Sequence, residues 1–194
     1  MLFLNRPSPE RIVQFLAVQA KLDFSYPEVG CTRGPVPAGY VSDHSRIALG
    51  HGEKIYQAAR QALGGWQQFK LGWLSPYPDT TPLTVGQNIS VLARLFPVWW
   101  LNACRIVYQV DEQGEVQRHG FAYGTLPDHA EAGEERFVVE WDRRDDQVWL
   151  DILAYSRPRH ILTKLGYPMV RRMQKRFGRE ATAHFKRVTL EMAK

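Results

Sequence analysis

Hydrophobic and polar positions follow two different periods along this chain, and the switches between them mark its elements. Ser8-Pro9-Glu10 sets a helix start, with a capping hydroxyl, a proline in the first turn and an acid at the positive end of the helix dipole. Ile12, Phe15 and Leu16 recur at helical spacing, and this first helix ends by Leu22. Loop chemistry follows over 23–39, where Pro27, Gly30, Gly34, Pro35 and Pro37 interrupt any period. A strand is predicted over 40–49, then a turn at Gly50-His-Gly52. A second helix carries Ile55, Ala58, Ala59 and Ala62 on one face and stops at Gly64-Gly65.

Beyond Gly65 the period becomes two. Strands are predicted over 66–74, 89–95, 99–110, 115–125, 133–142 and 147–156, with hairpin turns at 111–114 and 143–146. The chain then returns to steps of three and four. Leu162, Leu165, Met169, Met173, Phe177, Ala181, Phe185, Val188 and Met192 form one apolar stripe, with Arg171, Lys175, Arg179 and Lys186 on the opposite side. Gly166-Tyr167-Pro168 kinks or restarts that helix near its beginning.

Helix, strand, helix, six strands and a long helix describe an α+β chain. The expected architecture is a curved antiparallel sheet of about seven strands wrapped on the C-terminal helix. It is read as one domain over 1–194, with a helix and loop at 1–39, the sheet at 40–156 and the helix at 157–194. A curved sheet leaves room beneath such a helix, where a small apolar ligand would sit.

Alternation fixes faces within the hairpins. With 143–146 as the turn, Phe137, Val139 and Trp141 share an inner face with Val148, Leu150, Ile152 and Ala154. Glu134, Arg136 and Glu140 share the other face with Trp149, Asp151 and Tyr155. Glu135 falls on the inner face, a single carboxylate at the end of an apolar row. It is either a desolvated carboxylate available to a ligand or for proton transfer, or a rim residue paired with an arginine. With 111–114 as the turn, Asn102, Cys104 and Ile106 are expected opposite Tyr123, Phe121 and His119. The small residues Gly120, Ala122 and Gly124 on the reverse face let a helix, or else a ligand, approach the backbone closely, with helix packing the first expectation. Tyr123 reads as a core aromatic or a ligand contact. His129, in the loop between the strands carrying Tyr123 and Glu135, either gates a cavity mouth or is simply solvated. Arg105 and Ser156 are polar groups in apolar strands and candidate partners for Glu135.

Composition narrows the functional classes. Apolar residues make up 44% of the chain and charged residues 23%, which argues against disorder. No uncharged apolar run reaches the length of a membrane span, and the first six residues lack the pattern of a secretory leader. Two cysteines, Cys31 and Cys104, suit a reducing cytoplasm rather than a disulfide framework. Phosphate-loop, dinucleotide, zinc-protease and serine-elbow motifs are all absent, so neither a metal nor a nucleotide cofactor is expected. Residues 157–194 hold 11 Lys and Arg against Glu180 and Glu191. Their helical placement makes them first a solvated face; no specific nucleic-acid recognition is expected, since Phe177 and Phe185 belong to the apolar stripe.

The segments Gly120-Phe-Ala-Tyr-Gly-Thr-Leu126, His129, Gly133-Glu-Glu-Arg-Phe137 and Ser156-Arg-Pro158 resemble uncharacterised protein family 0548. Tyr26-Pro-Glu-Val-Gly30, Gly39-Tyr40, Leu49-Gly-His-Gly52 and the helix ending near Trp66 are similar to it as well, so the resemblance runs from about residue 24 to about 176. The family brings no assigned function and no catalytic residue. Its element order resembles the START/Bet v 1-like helix-grip superfamily, which implies binding of a lipid, sterol, polyketide or other hydrophobic molecule, with a minority of enzymes. The expected function is therefore binding of a hydrophobic small molecule, with Glu135, Tyr123, His129, Arg105, Ser156 and Trp141 as candidate site residues. A cofactor-independent acid/base enzyme in the same cavity, and an interaction module using the basic helix, are the alternatives.

Overall fold

A computed structural model of the protein describes residues 1–95 and 97–194. The elements are β1 (Leu2–Phe3), α1 (Pro9–Gln19), a 3-10 turn at Cys31–Arg33, β2 (Val41–His51), α2 (Glu53–Gly64) and a second 3-10 turn at Gln67–Phe69. Then come β3 (Leu74–Tyr77), β4 (Asn88–Leu95), β5 (Val98–Glu112), β6 (Val116–Thr125), β7 (Glu131–Asp142), β8 (Gln147–Pro158), α3 (Ile161–Leu165) and α4 (Tyr167–Met192). The sheet is antiparallel in the order β2-β8-β7-β6-β5-β4-β3. β1 pairs with the start of β5, on the part of that strand that β6 leaves free. Among the described residues, no helix is long and apolar enough to cross a membrane.

Sequence pattern and register agree in the β7–β8 hairpin. Phe137 lies opposite Ile152 and Val139 opposite Leu150, and these side chains join Ile106, Phe121 and Tyr123 in the principal core. The sheet curls so that this face is concave. α2 covers one end of it with Tyr56, Ala59, Ala62 and Leu63. α4 covers the other with Phe177, Ala181 and Phe185, crossing β2 so closely that a Cβ on Gly178 would stand 2.5 Å from the Ser45 hydroxyl. The reverse face carries a ladder of charges: Arg46 and Arg118 bridge Glu140, and Arg46 and Arg136 bridge Asp151.

Four expectations need correction. Residues 66–74 are not a strand: Trp66 ends α2 in the left-handed region, with φ 55°, and its buried ring donates Nε1–H to the Thr81 carbonyl at 2.8 Å. The chain turns there, and β3 begins only at Leu74. In the β5–β6 hairpin, Asp111 and Glu112 stay in the ladder rather than the turn, held by an Arg118–Glu112 ion pair at 2.8 Å. A bulge between Ile106 and Tyr108 adds a further shift, so Ile106, not Asn102, faces Tyr123.

Among the described residues, no α-helix packs on the reverse face of β6. Gly124 lies under Tyr26 of the 23–39 loop, so closely that a Cβ there would overlap the tyrosine ring. Finally, only the middle of the C-terminal stripe is covered. Phe185 and Ala181 are fully buried, whereas Leu162, Leu165, Met169 and Met192 are exposed. Arg171 is no free surface charge either, since its guanidinium grips both oxygens of Asp43 at 2.5 and 2.7 Å.

The 23–39 loop is fastened by a buried carboxylate. Glu134 accepts from the Tyr26 hydroxyl at 2.8 Å, from the Gly30 and Thr32 amides at 2.6 and 3.0 Å, and from the Thr32 hydroxyl. Its four donors offset the cost of taking a charge out of water.

Candidate functional site

Between the concave sheet and α4 lies a cavity of about 750 Å³. Its apolar walls come from three places. Phe69 and Trp73 follow α2, Leu74 and Ile152 lie on the sheet, and Met173 and Phe177 descend from α4. Phe69 organises the aromatic floor: its ring stacks on Phe177 at 5.3 Å and on Tyr123 at 5.9 Å, and meets Phe137 edge-on at 5.4 Å.

Glu135 sits in this floor. Alternation along β7 sends it inward with Phe137, and pairing with β6 places Tyr123 directly across from it. The Tyr123 hydroxyl donates to Oε2 at 2.8 Å. Oε1 has no hydrogen-bond partner among the described residues and keeps accessible surface, which faces the cavity. Burial drives the Glu135 pKa up from 4.5 to about 8; the bond from Tyr123 opposes the rise, and the carboxylates of Glu131 and Asp43 add to it. The cavity floor therefore favours the protonated form of Glu135. Burial and the neighbouring Glu135 likewise push the Tyr123 hydroxyl well above its usual range.

A second polar group lines the same cavity. Glu131 accepts from Gln174 of α4 at 2.5 Å and from the Ser156 hydroxyl at 3.2 Å, and Gln174 also donates to Ser156 at 2.9 Å. Burial raises the Glu131 pKa, while the bonds from Gln174 and Ser156 and the nearby Arg171 restrain the rise. His129 lines the cavity with its ring against this segment. Its Nδ1 stands 3.0 Å from the Glu131 amide and 3.1 Å from the Glu131 carbonyl, accepting from the first in one tautomer and donating to the second in the other. Burial lowers its pKa to about 3, so the ring is neutral across the physiological range.

The candidate residues thus separate into two groups. Glu135, Tyr123, His129 and Ser156 all line the cavity, but Ser156 pairs with Glu131 rather than Glu135, and His129 is tied to the Glu131 backbone. Arg105 and Trp141 stand elsewhere. Arg105 binds the Asn88 side chain at 2.9 Å and caps the end of α1 through the carbonyls of Gln19, Ala20 and Leu22. Trp141 packs on Tyr56 under α2, and its indole N–H binds Asp146 at 2.9 Å. Sequence reasoning missed Glu131, Asp43 and Gln174 as cavity residues. Glu131 was legible in principle, because 131, 133 and 135 share a face once β7 is extended by two residues. Among the described residues, no group of three or more His, Cys, Asp or Glu side chains is placed to hold a metal ion.

Comparison with known proteins places this architecture. The sequence matches a family model described as "Domain of unknown function (DUF1990)" over residues 25–184. A UPF0548 protein of Dictyostelium discoideum is 34% identical, with 91% of this chain and 90% of that one aligned. A UPF0548 protein of Deinococcus radiodurans is also 34% identical, over 100% of this chain and 99% of its own. Among solved structures, human STARD10 superimposes with a TM-score of 0.51 at 8% identity, covering 96% of this chain and 81% of that one. A norcoclaurine synthase of Thalictrum has a TM-score of 0.46 at 11% identity, covering 81% of this chain and 98% of that one. The likeness to STARD10 concerns the fold alone, a START/Bet v 1-like helix grip. By sequence, this chain belongs to the UPF0548 family, whose function is unknown.

Proposed function

We propose that this protein binds a hydrophobic small molecule between the sheet and α4, with the Glu135–Tyr123 pair engaging a polar group of that molecule. The observation that carries this reading is the free Oε1 of Glu135 on an apolar floor. That oxygen is open to the cavity and engaged by no described protein group, so a polar group of a ligand can pair with it without breaking an existing bond. The cavity volume of about 750 Å³ suits this role, since small-molecule sites span roughly 300–1,000 Å³. A lipid- or polyketide-like body would lie on Phe69, Trp73 and Phe177, and a carbonyl or hydroxyl oxygen would accept the Glu135 proton. The reading calls on no metal or cofactor.

The test is native mass spectrometry of the protein purified from its own cells, followed by organic extraction. The wild type is expected to carry a copurifying apolar molecule and Glu135→Leu, which has no donor, to carry little or none. Equal recovery from both proteins, or none from either, would overturn the reading.

One observation favours a second reading. A carboxylic acid with a pKa near 8 gives up or takes up a proton readily at cellular pH, so the same pair could serve acid/base catalysis on the bound molecule. Chemical change of the extracted molecule on incubation with wild type, and its absence with Glu135→Gln, would separate turnover from binding.

A further inference from the structure

The α3–α4 corner leaves apolar side chains exposed among the described residues. Ile161 is 61% exposed, Leu162 49%, Leu165 77% and Met169 59%. They fall within nine consecutive residues, and three of them occupy a five-residue helix. The opposite side of that helix is tied to the segment just before β7: Thr163 is buried, with its hydroxyl 3.0 Å from the Ala130 carbonyl and 2.7 Å from the carbonyl of His160 at the start of its own helix. The outward side is therefore held outward, rather than left there by fraying. Scattered exposed apolar residues need no explanation, but a contiguous set does.

The charges around the set are of one sign. From residue 152 to residue 179 the chain contains no Asp or Glu, and it contains eight Lys and Arg. Arg159, Lys164, Arg172 and Lys175 are exposed and form no ion pair among the described residues. Apolar side chains flanked by unpaired cations complement a surface that is anionic outside and hydrocarbon within. Lysine and arginine stems can lie along that boundary with their heads at the phosphates. Nucleic acid would satisfy the cations but leave four aliphatic side chains without a role.

We propose that the α3–α4 corner is a docking face for a bilayer containing anionic phospholipid. Leu165, Met169, Ile161 and Leu162 enter the interface, and Arg159, Lys164, Arg172 and Lys175 meet the headgroups. Thr163 and Val170, on the same two helices, line the cavity, so docking turns the cavity toward the lipid. The docking face stands independently of what the cavity holds.

Cosedimentation of the full chain with vesicles tests this. Vesicles of phosphatidylcholine alone are compared with vesicles containing about 30% phosphatidylserine at about 150 mM NaCl. At least tenfold tighter binding to the anionic vesicles is expected. Leu165→Glu/Met169→Glu should abolish it, and Lys164→Gln/Arg172→Gln/Lys175→Gln should remove the preference for phosphatidylserine. All five positions are exposed, and circular dichroism of each variant checks that it keeps the fold. Several results would overturn the proposal: no preference for anionic vesicles, or unchanged binding by both variants. So would DNA binding as tight as vesicle binding that survives Leu165→Glu/Met169→Glu. A dimer in the wild type that this double variant converts to monomer would reassign the face to a second copy of the chain.

Discussion

Tyr123 and Glu135 are directly paired across the β6–β7 ladder, and the tyrosine hydroxyl donates to the carboxyl group at 2.8 Å on the cavity floor. The strand register thus places an acid and its supporting donor side by side, and curvature of the sheet leaves the acid's other oxygen facing the cavity. Burial then keeps the proton on the acid.

Glu135 has a definite pH signature. Its pKa is raised on folding from 4.5 to about 8, so the folded state holds the proton more tightly than the unfolded state. Stability from this group is fully present below about pH 4.5 and is lost as pH rises toward 8. Denaturant unfolding at pH 5 and pH 8 should show wild type losing roughly 1–3 kcal/mol relative to Glu135→Gln, after discounting for solvent in the cavity.

Tyr123→Phe removes the one hydrogen bond that favours the ionised form of Glu135. The Glu135 titration should move to still higher pH, and stability should fall by about 1 kcal/mol. Carboxyl carbon chemical shifts in the variant, followed against pH, check both the direction and the coupling.

Glu134→Gln should act on the loop, not the cavity. It replaces a carboxylate that receives four donors, and a neutral amide cannot accept them all. Loss of about 2–4 kcal/mol is expected, with new protease cleavage within 23–39 under native conditions.

Arg171→Gln and Lys175→Gln should differ, although both residues belong to the basic side of α4. Arg171 joins α4 to β2 through both oxygens of Asp43, whereas Lys175 is exposed. Thermal unfolding should show a loss of about 1–2 kcal/mol for the first and under about 0.5 kcal/mol for the second.

Periodicity made the architecture legible because a half-buried antiparallel strand shows its face in every second residue. Glu135 is legible that way, two residues before Phe137 and four before Val139 on the same row. The same row misled for Trp141: alternation gives the face but not the distance along it, and six residues carry Trp141 roughly 20 Å away to lie under α2. Arg105 was illegible because its partners are carbonyls at the end of α1, a relation no local spacing encodes. The C-terminal stripe failed in part for a related reason. A period of 3.6 looks the same whether the apolar side chain meets a core, as Phe185 does, or solvent, as Leu165 does.

Titration of the Glu135 carboxyl carbon by carbon-detected NMR in the full chain tests the central claim most directly. The account predicts a midpoint near pH 8, with Tyr123 ring resonances moving in the same transition. A midpoint near the ordinary glutamate value of 4.5 would contradict it, because an ionised Glu135 at neutral pH would have no proton to offer a ligand.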